Sequence, residues 1–510
     1  MQGRAAELYA RLVVDRVRSG MPSDGWKADW ANAPRTVAHH EGAQTILFAP
    51  PEQGTGLFGE IEPSVSRAVT DVCASIYGLK RLQLTVNLND RPEVHTHVAH
   101  AKWGRGAASG GGRYCADFYL VHGGDAELRA GVYHFSVIAN GWEQLQRHDR
   151  TDELRQIQQY TRSAASYLVI TIDFWRSAFK YGDFAYQATA MDVGTVFGAE
   201  HELLGDGVAG SWDMEVDEEA IAAVLGLDAR DNGVYAVQPW GALRDYEVAG
   251  APAEALTTPL PTTPTRHQGD RGRVRFSTTR ALQADMRRQL PDVSARERVR
   301  PVEPSSGNTD RDRDRARQLL LRRESSFGRF GVSGISLSAV REMLAAALRS
   351  ANALTAGAAH KPDIFFLVYA TRVQGLEKGL YRADADELRL VLSGDEDAFL
   401  DSTYFLHNYM GRRAACTVII CAAVQGASRH RGVRGYRLTN AMVGSACQGI
   451  LNFACEAGIG TGTALGFDPA AHSARSGIDP EEASPMLMIM LGADMPSCGS
   501  VHAATNHGGS

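Results

Sequence analysis

Asp363-Ile364-Phe365-Phe366-Leu367-Val368-Tyr369, followed by Gly379-Leu380-Tyr381-Arg382, restates a pattern met earlier in the chain. There it reads Ala116-Asp117-Phe118-Tyr119-Leu120-Val121, then Gly131-Val132-Tyr133-His134-Phe135. Each pair is an apolar, buried-strand pattern followed by a strand that opens on glycine. Outward from these stretches, further landmarks recur in the same order. Apolar strands follow helix-like text at Ser166-Tyr167-Leu168-Val169-Ile170-Thr171-Ile172 and at residues 416–424. Aromatic-rich helix starts come next, at Lys180-Tyr181-Gly182-Asp183-Phe184 and at Arg434-Gly435-Tyr436-Arg437-Leu438. Ser211-Trp212-Asp213 then answers Gly466-Phe467-Asp468, and Leu225-Gly226-Leu227-Asp228 answers Ser476-Gly477-Ile478-Asp479. So many landmarks in one order predict two related α+β halves.

The text between the halves differs in composition. Residues 248–317 are rich in Pro, Thr, Arg and Asp, with Pro259-Leu260-Pro261 and Arg311-Asp312-Arg313-Asp314-Arg315. Few large apolar residues are available there to offset chain entropy, so a partly disordered linker is expected. The expected division is a first domain over 1–247, the linker over 248–317, a second domain over 318–495 and a flexible tail over 496–510. The linker arginines are balanced by acidic residues and lack interleaved aromatic residues for base stacking.

The formal net charge of −6 over 510 residues gives no bulk electrostatic support for a nucleic-acid partner. The seven cysteines form no CxxC pair, which predicts reduced thiols and a cytoplasmic location rather than a disulfide framework or zinc site. The N-terminus lacks the apolar core of a signal peptide, and no apolar run approaches the roughly 20 residues of a membrane helix. Histidines 39, 40, 95, 97 and 100 show no metal-ligand spacing, and no metal is expected.

Four stretches carry candidate chemistry. Arg105-Gly106-Ala107-Ala108-Ser109-Gly110-Gly111-Gly112-Arg113-Tyr114 precedes a strand. Its glycines allow close backbone approach to a flat or anionic ligand, and it also reads as a flexible surface loop. It is neither a Walker loop nor a dinucleotide fingerprint, because no Lys-Ser/Thr follows and it precedes a strand rather than joining a strand to a helix. Arg322-Arg323-Glu324-Ser325-Ser326-Phe327-Gly328-Arg329-Phe330 combines guanidinium and hydroxyl donors suited to a phosphate; it equally suits a basic segment with a capping serine. Lys180-Tyr181 is either a proton-transfer pair or a helix end with one exposed and one packed side chain. Residues 458–468, Gly-Ile-Gly-Thr-Gly-Thr-Ala-Leu-Gly-Phe-Asp, present backbone N–H groups, or simply join a helix to a strand.

Together these residues resemble the nitroreductase-like flavoprotein superfamily. Within it they resemble the SagB-type azoline dehydrogenases of ribosomal peptide biosynthesis. Arg105 through Tyr114 is similar to that family's Arg-x-x-Pro-Ser-Gly-Gly-x-x-Tyr loop, with Ala108 where proline is usual. Gly131-Val132-Tyr133-His134 is similar to its Gly-x-Tyr-His turn, and Lys180-Tyr181 to its catalytic Lys-Tyr. Arg323-Glu324-Ser325 is similar to the Arg-x-Ser phosphate-binding start of nitroreductase domains. Phe327 stands where a further basic residue is common, a role open to Arg322 or Arg329. The resemblance implies two nitroreductase-like domains, each an antiparallel-rich sheet flanked by helices, forming an intrachain pseudo-dimer. It implies one complete FMN site, with Arg105, Ser109, Gly110 and Gly111 from the first half and Arg323, Ser325, Leu465 and Gly466 from the second. The implied activity is FMN-dependent oxidation of azolines to thiazoles or oxazoles in a modified precursor peptide, with Tyr181 as base and Lys180 lowering its pKa or sharing the proton. Implied partners are that peptide and a cyclodehydratase or other biosynthetic proteins. Two other readings stay open: a different FMN-dependent reductase of nitro, quinone or dehydroamino-acid substrates, and a non-catalytic scaffold subunit of a peptide-modifying complex.

Overall fold

Apolar strand patterns of both halves become the central strands of two six-stranded, antiparallel sheets. The structure is a computed structural model and describes residues 4–21, 25–48, 64–85, 100–242, 263–264, 273–292, 294, 299–304, 308–326, 329–356, 363–384, 387–405, 409, 411–495 and 500–501. In the first half, β1 (Gln44–Ile46), β2 (Ala116–His122), β3 (Gly131–Ser136), β4 (Gly141–Gln146), β5 (Ser166–Asp173) and β6 (Asn232–Trp240) pair in the order β1-β4-β3-β2-β5-β6. In the second, β7 (Ile364–Ala370), β8 (Gly379–Ala383), β9 (Leu388–Ser393), β10 (Cys416–Ala422), β11 (Ile459–Ala464) and β12 (Ser484–Ala493) pair in the order β9-β8-β7-β10-β12-β11. The central strands β2, β5, β7 and β10 are buried on both faces along nearly their whole length, which explains their continuous rather than alternating apolar pattern.

The repeat extends to irregularities. β3 is bulged against β4 at Val132/Tyr133, and β8 against β9 at Leu380/Tyr381. Tyr133 Oη donates to Arg129 O at 2.7 Å, and Tyr381 Oη donates to Glu377 O at 2.8 Å. β5 and β10 shift register at Ile170/Thr171 and Ile420/Cys421. One landmark moves. Asp468 caps the helix Pro469–Ser476 by accepting from Ala471 N, and its counterpart is Asp217, which caps Glu218–Leu225 by accepting from Ala220 N. Asp213, the residue expected to match Asp468, instead forms an isolated bridge to Val237, where the second half has the whole strand β11.

Helices α1 (Arg4–Val14), α2 (Val65–Tyr77), α3 (Phe174–Tyr181), α4 (Ala185–Leu204), α5 (Glu218–Leu225), α6 (Ser277–Arg288), α7 (Asp310–Arg322), α8 (Leu337–Leu354), α9 (Val424–Glu456) and α10 (Pro469–Ser476) flank the sheets. The halves meet where α4 crosses α9, and each half lends a helix to the other: α1 packs on α9, and α7 on α4. A Cβ on Gly194 would collide with Ala441 O, and one on Gly444 with Met191 O. These reciprocal contacts, each spanning a glycine and a residue three positions earlier on the partner helix, are the mark of a local two-fold relation. Gly182, before α4, and Gly432, at a kink within α9, have nearly identical backbones, φ/ψ of 55°/−138° and 58°/−139°. That region is essentially open to glycine alone.

Parts of the segment expected to be a partly disordered linker dock on the rest of the chain. Thr263 and Pro264 pair with Glu41 and His40. α6 buries Thr279, Leu282, Gln283 and Met286 on one face, so its few apolar residues sit at helical spacing and suffice to dock it. The tail expected over 496–510 likewise contributes Ser500–Val501, which pairs with Gln83 and Leu82. No helix among the described residues is long and apolar enough to cross a membrane.

Candidate active site at the junction of the halves

The Ser109–Gly111 loop is fixed from below by α4. Ser109 Oγ donates to Asp192 Oδ2 at 2.6 Å and accepts from Tyr114 N at 2.8 Å; Gly110 N donates to Asp192 Oδ1 at 2.8 Å. Burial pushes the Asp192 carboxyl up to about 6, against the bonds from Gly110, Ser109 and Cys115. The second half holds the same loop from its other side. Gln448 Oε1 accepts from Ala108 N at 2.9 Å, and Arg323 Nε donates to Gly106 O at 2.9 Å.

Lys180 and Tyr181 end α3 directly against this loop. A Cβ on Gly111 would meet Tyr181 Oη at 2.5 Å and collide with Lys180 Nζ, so only glycine leaves room for the two head groups. Lys180 Nζ lies 5.1 Å from the centre of the Tyr181 ring. Burial raises the Tyr181 pKa, as do Asp192 and Tyr409, against a weaker pull from Arg113. The direction is opposite to the lowering expected from its lysine neighbour, because desolvation of the phenolate outweighs nearby positive charge.

From the second half, Ser325 Oγ and Ser326 Oγ donate to Thr461 O on β11, at 3.4 and 2.8 Å. Tyr409 packs on Gly462 and donates to Thr463 O at 3.2 Å. It bonds Ser325 and lies within electrostatic reach of Tyr181. The carbonyls of Leu465 and Phe467 accept from Arg16 Nη2 at 2.6 and 2.9 Å, and Gly466 O accepts from Phe405 N at 3.1 Å.

The expected residues thus divide. Ser109, Gly110, Gly111, Lys180 and Tyr181 gather beside Tyr409 and Ser325. Arg105 does not turn its charge toward them: its guanidinium is buried between Tyr77 and Tyr114, 4.3 Å from each ring, and its Nη2 donates to Thr36 O at 2.7 Å. Arg105 and Arg323 therefore clamp the loop. Arg329 is 4% exposed, its Nε and Nη2 have no hydrogen-bond partner among the described residues, and Asp494 lies within its electrostatic reach. Such a buried, unsatisfied guanidinium suits an anion. Asp192, Gln448, Tyr409 and Arg16 were missed by sequence reading, since their roles depend on contacts across the repeat.

The described residues suit FMN on two structural grounds. Gly110 and Gly111 expose a loop backbone beside Asp192, Lys180 and Tyr181, and Arg329 carries buried donors without a hydrogen-bond partner among the described residues, four positions after Ser325.

Residues 328–493 match the family model described as "Nitroreductase family". A putative nitroreductase from Anabaena variabilis superposes with a TM-score of 0.69 at 18% identity, covering 96% of this chain and 99% of that one. A putative nitroreductase from Ralstonia eutropha gives a TM-score of 0.27 at 16% identity over 35% of this chain and 82% of that one. The E. coli microcin synthetase McbBCD complex with truncated pro-MccB17 bound also gives 0.27, at 17% identity over 33% of this chain and 67% of that chain; neither of these two likenesses bears on the fold. Comparison with curated proteins yields no match. With helices and antiparallel sheets arranged as in the Anabaena protein, the chain has a nitroreductase-like fold, and its residues 328–493 are similar to the nitroreductase family.

Proposed function

We propose that this chain is an FMN-dependent dehydrogenase that oxidises azoline rings of a modified peptide to azoles, at one site shared by its two halves. The observation that carries the reading is the placement of Lys180 and Tyr181 against Gly111, beside the second-half elements Tyr409 and Ser325. When bound, FMN supplies the acceptor for the hydride equivalent lost from the ring. Ser109 and Asp192 hold the loop that receives the cofactor, and Ser325 and Arg329 take its phosphate. Leu465 and Gly466, set in place by Arg16 and Phe405, present backbone to its ring. The other hydrogen leaves the substrate as a proton through the Lys180–Tyr181 pair. Tyr181 is held as a phenol, so it accepts a proton at Oη only as it passes its own on, and Lys180 is the adjacent carrier.

Lys180→Ala and Tyr181→Phe should keep the yellow colour while losing azole formation, read as absence of the two-hydrogen mass loss in an azoline-bearing peptide. Unchanged conversion by both variants rejects the assignment. The similarity to the nitroreductase family favours one competing reading, a nicotinamide-dependent reductase; rapid bleaching of the flavin by NADPH, with turnover of a nitroaromatic, would select it.

A further inference from the structure

The tertiary fold gathers three histidines and two carboxylates that lie far apart in the sequence and away from the Lys180–Tyr181 pair. His134 on β3 and Glu143 on β4 are cross-strand partners, and His134 Nδ1 lies 2.9 Å from Glu143 Oε2. The segment before β1 adds His39, whose Nδ1 is 2.6 Å from Glu143 Oε1, and His40, whose ring centre is 4.8 Å from that of His134. Ligand atoms of His40, His134 and Glu143 all fall within 4.8 Å of one another. The three residues are 7%, 1% and 0% exposed, whereas the His39 side chain is 46% exposed and opens the cluster to solvent.

Behind the cluster stands a second layer. His134 Nε2 is buried without a hydrogen-bond partner and lies 3.8 Å from Asp117 Oδ1. Asp117 is fixed by Arg176, with contacts of 3.0 and 2.5 Å, and Arg176 Nε reaches Asp173 at 3.4 Å. The order carboxylate, imidazole, open ligand position is the arrangement that orients metal-binding histidines.

We propose that His40, His134 and Glu143 bind one Zn²⁺ ion, with His39, whose Nδ1 contacts Glu143 Oε1, orienting that carboxylate and water completing the coordination. Imidazole nitrogens with a single carboxylate and no thiolate suit zinc rather than calcium or magnesium. Binding displaces the proton shared between His134 and Glu143 and releases it to solvent; no redox change is involved. The ion is structural. It ties the His39–His40 segment to the first sheet, and the same segment holds the ligand loop, since Thr36 O accepts from Arg105 and Pro34 O accepts from Arg113 Nη2 at 2.8 Å. The zinc therefore stabilises the loop without touching the reacting atoms.

The test uses the full-length protein, stripped with a chelator and titrated separately with Zn²⁺ and Co²⁺. The expected result is one Zn²⁺ per chain by calorimetry, a raised thermal midpoint, and the visible bands of four-coordinate Co²⁺. His39→Ala, at a half-exposed position, should weaken binding at least tenfold, and Glu143→Gln should abolish the cobalt bands. Folded wild-type protein that takes up no zinc and develops no cobalt bands at one equivalent overturns the proposal. So do bands that persist unchanged in both variants.

Discussion

Arg431 and Glu215 form an ion pair at the two positions that correspond, across the internal repeat, to Tyr181 and Gly466. Tyr181 immediately precedes Gly182 as Arg431 precedes Gly432, and Gly466 stands two residues before the capping Asp468 as Glu215 stands before Asp217. The two repeat-related positions are thus bridged by an ion pair in place of a tyrosine and a glycine. Asp292 N donates to Glu215 Oε2 at 3.0 Å, and Gln289 packs on Gly432, so the segment after α6 packs beside the pair.

Arg431→Ala should therefore leave flavin content and azoline oxidation unchanged. It should cost about 1–3 kcal/mol of stability, the range for stranding one member of a partly buried pair. Chemical denaturation of the single variants and the Glu215→Ala/Arg431→Ala double variant reads the coupling. Flavin analysis should give one FMN per chain; two per chain contradicts the single shared site.

Gly194→Ala or Gly444→Ala forces a methyl group against the backbone of the opposing helix. Overpacking of this kind costs about 1–3 kcal/mol or more, because neither backbone can yield locally. The expected result is a lowered thermal midpoint together with loss of bound flavin, since the proposed site draws on both halves.

Arg329→Ala should reduce FMN affinity more than Arg322→Ala, because the first side chain is buried with unsatisfied donors and the second is partly exposed on α7. Fluorescence titration of apoprotein with FMN measures the difference. A loss of about tenfold or more for Arg329→Ala corresponds to one charge-assisted bond. Equal affinities for both variants reject the phosphate assignment.

Glu200 on α4 gives a pH dependence with a definite sign. Burial pushes its carboxyl from 4.5 up to about 7, although Trp212 Nε1 donates to it at 2.5 Å and Gln238 Nε2 at 3.0 Å. Its folded-state pKa is raised, so its favourable contribution is complete below the unfolded value and is lost as pH climbs through about 7. Glu200→Gln should gain stability relative to wild type by up to about 3 kcal/mol between pH 4.5 and 8. Denaturation midpoints of both proteins across that range provide the check, and a constant difference would refute the shift.

The sequence alone determined the two-fold repeat and the central strands, because apolar runs and turn glycines are local signals with fixed periods, whereas Lys180–Tyr181, read as a helix start, end α3. It also singled out Ser109–Gly111 and Lys180–Tyr181, which tertiary packing brings together at Gly111. Only the three-dimensional structure decided what long-range contacts decide. Arg105 looked like a ligand charge but is spent between Tyr77 and Tyr114, a fate set by two other segments. The Arg/Pro-rich segment looked unable to dock, yet α6 finds a buried berth because Gln283 bonds Glu218 and Arg437 across both halves. His39, His40, His134 and Glu143 carry no recognisable spacing in the sequence, because a cross-strand pair and a returning N-terminal segment bring them together. Periodicity records which face of an element is buried; which partner it meets is a property of the assembled chain.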